Sequence, residues 1–284
     1  FWVETGIIWV ITFSPKEEII MKIGFIGCGN MATAILKGIL KSSEVAATDI
    51  IASAKSDKTR EKIEKELGIQ KADTNAQVVD FADVVFLAVK PQFLEGVLDE
   101  IKASVKEDQI FISIAPGKTL QWLGEHLGEG TKIIRTMPNT PAMVGEGMTA
   151  LCVNDLVTEE ETALAVKLCN TFGKSEVIPE HLMDAVVGVS GSSPAYVFMF
   201  LEAMADAAVA DGMPRAQAYK FAAQAVLGSA KLMLETGKHP GELKDMVCSP
   251  AGTTIQAVRV LEEKGLRSAV IEAQLECVKK AKGM

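Results

Sequence analysis

Histidine is scarce in this chain, with His126, His181 and His239 the only three among 284 residues. The small polar loop "MVCSPAGTTIQAV", Met246 to Val258, therefore has no base beside its hydroxyls. Without an activating base a serine or threonine is a weak nucleophile, so the loop reads as a clamp for an anion. Cysteine is sparse too: Cys28, Cys152, Cys169, Cys248 and Cys277 are scattered, odd in number and form no C-x-x-C pair or His-Cys cluster. That excludes a disulfide framework and a zinc site, and it suits a reducing cytoplasm. No block of Lys and Arg stands out, and 29 basic against 37 acidic residues leave a net charge of -8. Nucleic acid and anionic membrane surfaces are thereby excluded as partners, and a small-molecule substrate is expected.

The opening "FWVETGIIWVITFSPKEEII" has an apolar part too short to span a bilayer, and it lacks the basic start and small-residue cleavage site of a signal peptide. Met21 reads as the natural start and residues 1–20 as a leader extension without assigned function. From 21 to 179 short apolar runs, "KIGFI", "IIAS", "ADVVFLAV", "QIFISIA" and "KIIRTM", alternate with helical segments. Continuous apolarity in runs of this length indicates strands buried on both faces, hence a doubly wound α/β domain with a parallel, Rossmann-type sheet.

From 180 to 284 the texture is all-helical. Ser193 reads as an N-cap with Pro194 in the first turn and Gly212 and Pro214 as the stop, followed by helices over 215–235, 254–264 and 266–281. Segments such as "YVFMFLEAMADAAV" are apolar nearly all round. About a hundred residues cannot hide that surface in one layer, so a homodimer is expected. A self-contained bundle against the first domain is the alternative.

"GFIGCGNMATAILKG" sets a G-x-G-x-x-A turn directly after a strand and at the mouth of a helix. Gly27 permits the tight turn, Gly29 lets a pyrophosphate approach the backbone, and Ala32 allows close packing, with the phosphates facing the helix N-terminus. Ile26, Gly27, Cys28, Gly29, Asn30 and Met31 are accordingly candidate dinucleotide contacts. The second strand ends in Ser53, Ala54 and Lys55, with Lys58 and Arg60 beyond; hydroxyls and cations suit a 2′-phosphate, so NADP(H) is preferred and NAD(H) stays possible. A merely solvated basic helix start would give the same residues. Further candidates are Asn75 and the strand ends Ala88, Val89, Lys90 and Pro91, and Ala115 and Gly117, since ligands of such sheets lie beyond the strands' carboxyl ends.

Together the blocks "GFIGCGNMATAILKG", "FLAVKPQ", "RTMPNTPAMVGEGMTAL", "GVSGSSPAYVFMFLEAMADAAVADG" and "HPGELKDMVCSPAGTTIQAV" resemble the pyrroline-5-carboxylate reductase family, over essentially Met21 to Lys280. The resemblance implies reduction of Δ1-pyrroline-5-carboxylate to L-proline by NAD(P)H, the last step of proline synthesis, in a dimer or a larger dimer-built ring. It makes Ser249, Gly252 and Thr253 the holders of the substrate carboxylate. Thr254 becomes the catalytic candidate, hydrogen-bonded to the ring nitrogen, and Glu180 an acidic residue near the substrate. Val187, Ser193, Pro116 and Ala251 depart from the commonest family pattern, which bears on local contacts. Two rival readings are a β-hydroxyacid dehydrogenase, disfavoured because no lysine follows "GVSGSSPAYVFMF", and a non-catalytic NADP-binding regulator, disfavoured by the clamp.

Overall fold

A computed structural model describes residues 21–283, so the leader expected at 1–20 lies outside the described residues. The first run forms β1 (Ile23–Ile26), buried along its whole length, and the glycine turn delivers the chain into α1 (Asn30–Ser42). Then follow β2 (Ile50–Ser53), α2 (Asp57–Lys65), β3 (Gln70–Ala72) and α3 (Asn75–Phe81). After β4 (Val84–Leu87), α4 (Pro91–Ile101), β5 (Ile110–Ser113) and α5 (Leu120–Leu127) comes β6 (Lys132–Met137). The strand order is β3-β2-β1-β4-β5-β6-β7-β8, parallel except where β6 meets β7 (Gly147–Val153). The reversal of order between β1 and β4 is the topological switch point of a doubly wound sheet.

Three strands beyond the apolar runs complete the sheet, β3 at one edge and two at the other. β7 pairs antiparallel to β6, and β8 (Gly173–Val177) returns parallel to β7 through α6 (Glu159–Cys169). β8 is a short edge strand carrying Lys174 and Glu176, charges that discourage pairing with another sheet edge. α6 starts in a full capping box: the Thr158 hydroxyl accepts from the Glu161 N–H while the Glu161 carboxylate accepts from the Thr158 N–H.

The core lies on both faces of the sheet. One cluster joins Ile23, Phe25, Ile35 and Leu36 to Leu168 and Phe172, and the other joins Val85, Leu87, Leu94 and Leu98 to Leu123. Phe25 stacks on Phe86 with ring centres 4.5 Å apart. Burying each such ring contributes about 1.5–3 kcal/mol.

The helical half is built differently. A helical run from Glu180 passes through α7 (Met183–Val186) and a π-turn over Val187–Gly191 into α8 (Ser193–Ala210). Ser193 is thus the first helical residue and not the cap; Ser192 stands at the cap position in right-handed helical geometry without a capping bond, its hydroxyl accepting from Cys277 Sγ at 3.1 Å. The π-turn leaves no break to cap, because the Ser192 N–H donates to the Val187 carbonyl at 2.8 Å. α9 (Arg215–Thr236), α10 (Pro240–Val247), α11 (Thr253–Glu263) and α12 (Leu266–Ala281) follow. Within α8 and α9 only Ala205, Ala218 and Ala222 are buried, and within α10 to α12 no residue is. By length and composition alone, Glu180–Ala210 could cross a membrane.

Candidate active site

The glycine turn stands at the switch point, tied to both neighbouring strands. The Gly27 N–H donates to the Ser53 carbonyl at 3.1 Å, and the Ala88 N–H donates to the Ile26 carbonyl at 2.9 Å. Gly27 has φ +93, and a β-carbon there would lie 2.8 Å from the Ala88 carbonyl oxygen. No other residue fits that conformation without strain. Gly29 is the N-cap of α1 with no side chain over it, and a β-carbon there would meet open space. The start of α1 thus has no side-chain cap among the described residues, and helix-start N–H groups are the donor set a pyrophosphate requires.

Two cavities flank this turn. One, of about 440 Å³, is lined by Cys28, Gly29, Asn30, Lys58 and Thr59. The other, of about 400 Å³, runs beyond the end of β2 and is lined by Gly27, Ser53, Ala54, Lys55, Arg60 and Asn75. Val89, Phe93, Asp73 and Glu100 complete its walls. Asn75 opens α3, and its side chain accepts the Ser53 hydroxyl at 2.6 Å. Met31 lies half-buried in the first turn of α1. On the other side of the switch point Lys90 is exposed at the N-cap of α4 with Pro91 after it, beside half-buried Ala88 and Val89. Ala115 is buried and Gly117, φ +75, turns the chain after β5. The structure thus gathers the expected dinucleotide residues along the carboxyl ends of β1, β2, β4 and β5. An open cradle, an uncapped helix start and two cations fit a nicotinamide dinucleotide.

The clamp lies apart from that crevice. Cys248 to Gly252 link α10 to α11, Ala251 takes the left-handed conformation at φ +58, and the Gly252 N–H donates to the Ser249 carbonyl at 3.0 Å. A β-carbon at Gly252 would overlap Ser249 Oγ, so a larger residue there would have to turn the Ser249 hydroxyl away. Gly252 is the N-cap of α11 with no side-chain bond, and Thr253 and Thr254 are the first two helical residues. The helix thus starts one residue earlier than the sequence pattern suggests. Its first N–H groups have no side-chain cap among the described residues, and Ser249, Thr253 and Thr254 place three hydroxyl-bearing residues in this turn, the setting the sequence suggested for an anion. None of Ser249, Gly252, Thr253 and Thr254 lines either cavity at the glycine turn.

Glu180 stands at the junction of the halves. Its Oε1 accepts from Arg135 at 2.9 Å and from the Leu120 N–H, the first of α5, at 2.7 Å. Arg135 is almost wholly buried, with 8% of its side chain exposed, so this carboxylate is what neutralises it. Burial first, and then the Glu180 charge, push the nearby Cys152 thiol up to about 12 against a smaller opposing effect of Arg135. Asn139 makes a second junction, donating to the Ser190 carbonyl at 3.0 Å and accepting from the Met148 N–H at 2.9 Å. Arg135 and Asn139 both fall in "RTMPNTPAMVGEGMTAL", where polar residues interrupt an apolar strand end, the one signal in the sequence that could have marked them.

A switch-point glycine turn at a helix start, in a doubly wound sheet joined to a helical half, is the frame of a nicotinamide-dependent oxidoreductase. Residues 22–117 match the family described as NADP oxidoreductase, coenzyme F420-dependent, and residues 180–284 match pyrroline-5-carboxylate reductase dimerisation. The chain is 57% identical over 260 residues to the pyrroline-5-carboxylate reductase of Escherichia coli K12, covering 92% of this chain and 97% of that one. It is 44% identical over 261 residues to that of Methanosarcina acetivorans, with 92% and 97% covered. Among solved structures, the Coxiella burnetii reductase superposes with a TM-score of 0.87 at 34% identity, covering 93% of this chain and 98% of that one. The Plasmodium falciparum reductase with NADP bound superposes at 0.83 and 29% identity, over 93% and 97%. The chain belongs to the pyrroline-5-carboxylate reductase family and is an enzyme.

Proposed function

We propose that this enzyme reduces Δ1-pyrroline-5-carboxylate to L-proline, the last step of proline biosynthesis, with NADP(H) preferred and NAD(H) accepted. The observation that carries the reading is the uncapped start of α11 under Ser249, Thr253 and Thr254, an anion site in a chain whose other anion site suits a dinucleotide. A cyclic imine bearing one carboxylate matches the clamp: the backbone N–H groups and the Ser249 and Thr253 hydroxyls hold the carboxylate. Gly252 keeps the backbone open to it, and the Thr254 hydroxyl hydrogen-bonds the ring nitrogen. A bound nicotinamide supplies the hydride. The protein orients the imine carbon and withdraws electron density through its nitrogen, and no strong base is required.

In this reading residues 21–179 form the dinucleotide domain and 180–284 the substrate and dimerisation domain, with Glu180 holding the two together beside the substrate. The clamp has no hydrogen bond to the nucleotide half among the described residues, which supports a site completed by a second copy, in a homodimer or a larger ring built from dimers. The apolar run 180–210 then serves as dimer face. Its acidic residues, Asp184, Glu202 and Asp206, suit that place better than a bilayer. Five cysteines without a disulfide accord with a reducing cytoplasm.

Following NADPH absorbance with and without pyrroline-5-carboxylate tests the reading, and oxidation that does not depend on the imine would end it. Lys55→Glu is expected to weaken NADPH at least tenfold more than NADH, because a carboxylate would face the 2′-phosphate. Equal losses would remove Lys55 from the cofactor site.

A further inference from the structure

The cavity beyond β2 carries two opposed tendencies. Lys55 and Arg60 bring positive charge to it, while Asp73 and Glu100 bring negative charge. Arg60 commits its Nε–H to the Ala54 carbonyl at 2.7 Å, and the Lys55 ammonium sits 5.8 Å from the centre of the Phe93 ring. Among the described residues neither cation forms an ion pair with Glu100. The carboxylate instead ends a chain of three side chains. The Ser53 hydroxyl donates to Asn75 Oδ1 at 2.6 Å, and Asn75 Nδ2 donates to Glu100 Oε2 at 2.8 Å.

The direction of that chain is set at its acidic end. A carboxylate only accepts, so it takes the NH₂ side of Asn75 and turns the amide oxygen toward Ser53. That oxygen also only accepts, so it draws the Ser53 proton. What Ser53 has left for the cavity is lone pairs, which accept from a ribose 2′-hydroxyl and oppose the acceptor oxygens of a 2′-phosphate.

We propose that Glu100 is a positioning residue for cofactor selectivity. Acting through Asn75 and Ser53, it holds the pocket in the form suited to an unphosphorylated ribose, and so limits the preference for NADP(H) that Lys55 and Arg60 create. The inference rests on the reading that the adenosine end of the cofactor occupies this cavity. Two magnitudes favour the relay over the bare charge of Glu100. The carboxylate is exposed, so water and salt screen its direct field. Ser53, by contrast, is 4% exposed, and the polarity of its hydroxyl reaches the ligand unscreened.

Calorimetric titration of the whole protein with 2′,5′-ADP and with 5′-AMP isolates the 2′-phosphate, since the two ligands differ by that group alone. Glu100→Gln is nearly isosteric and frees the amide to turn, so it should raise the preference for 2′,5′-ADP over 5′-AMP by roughly three- to tenfold, the span of one ordinary hydrogen bond gained. The same substitution made in an Asn75→Ala background should leave the preference where Asn75→Ala alone puts it. An unchanged ratio in Glu100→Gln overturns the proposal. So does an equal shift in the Asn75→Ala background, which would show that charge acts without the relay. If the unsubstituted protein fails to bind 2′,5′-ADP more tightly than 5′-AMP, the NADP(H) reading falls. The relay is still judged by the change in ratio that Glu100→Gln produces.

Discussion

In the proposed mechanism the Thr254 hydroxyl carries the polarising role, since that reaction calls for no strong base. Thr254 is the second residue of α11, whose N-cap Gly252 makes no side-chain bond to the first turn, and the proposed reading sets its hydroxyl on the imine nitrogen. Thr254→Val keeps the shape and deletes the hydroxyl, so kcat should fall roughly ten- to a thousandfold, the cost of one polarising contact in the transition state. Ser249→Ala removes a carboxylate contact present throughout the reaction and should act mainly on KM. Steady-state kinetics on both variants check this, and a normal kcat for Thr254→Val would assign imine protonation to solvent. The cysteines separate in the same way by environment. Burial raises Cys152 and Cys169 to about 12, so raising the pH toward 12 increases their reactive thiolate, and at pH 8 only about one in ten thousand is ionised. Both should resist iodoacetamide in the folded protein at pH 8, as read by mass spectrometry, and react once it is unfolded. The glycine turn before α1 and the start of α11 were legible because each is set by residues adjacent in sequence. Glu180 with Arg135, and Asn75 with Glu100, lie 45 and 25 residues apart, and no local pattern announces such pairs.

Elements were legible to the degree that burial left a mark on composition. β1, β2, β4, β5 and most of β6 are covered on both faces and read as apolar runs. β3 and β8 are largely exposed, with sequences QKA and GKSEV, and carry no such mark. α10, "PGELKDMV", is short, begins on a proline and a glycine and buries nothing, so it was indistinguishable from a turn. The offset of the expected Ser193 cap has the same origin: a π-turn continues one helix into the next, and residue preferences for caps presuppose a break. The junction of the halves depends on element ends, and Glu180 serves two of them. Glu180→Gln leaves the Leu120 N–H a partner but strips the buried Arg135 of its counter-charge. Glu180 is itself about one-third exposed, which lowers the cost below that of a fully buried pair. A loss of about 1–3 kcal/mol is expected. Thermal unfolding should drop by roughly 3–10 °C, with a smaller rise in KM as the substrate side loosens. An unchanged Tm with a large rise in KM would instead make Glu180 a direct substrate contact.

At the scale of the molecule, the proposed clamp residues line neither cavity at the glycine turn, although Glu180 and Asn139 join the two halves of the chain. The helices α8 to α12 leave Phe198, Met199, Phe221 and Leu234 between 65% and 84% exposed. Covering each such side chain is worth about 1.5–3 kcal/mol, and half a dozen of them on each copy exceed an association cost of about 4–15 kcal/mol. Phe198→Glu should therefore yield monomers by light scattering and lose activity with assembly, and an active monomer would refute this. The sharper test asks whose clamp serves whose cofactor. Gly27→Ala strains the turn that carries the dinucleotide, and Thr254→Val disables the clamp, so each variant alone should be nearly inactive. When the two are unfolded together and refolded, half of the dimers are mixed. If the clamp of one copy closes over the crevice of the other, each mixed dimer holds one site with both defects and one with neither. About a quarter of the unsubstituted activity should then return. If each chain uses its own clamp, every site in the mixture keeps a defect, and activity should stay at the level of the separate variants.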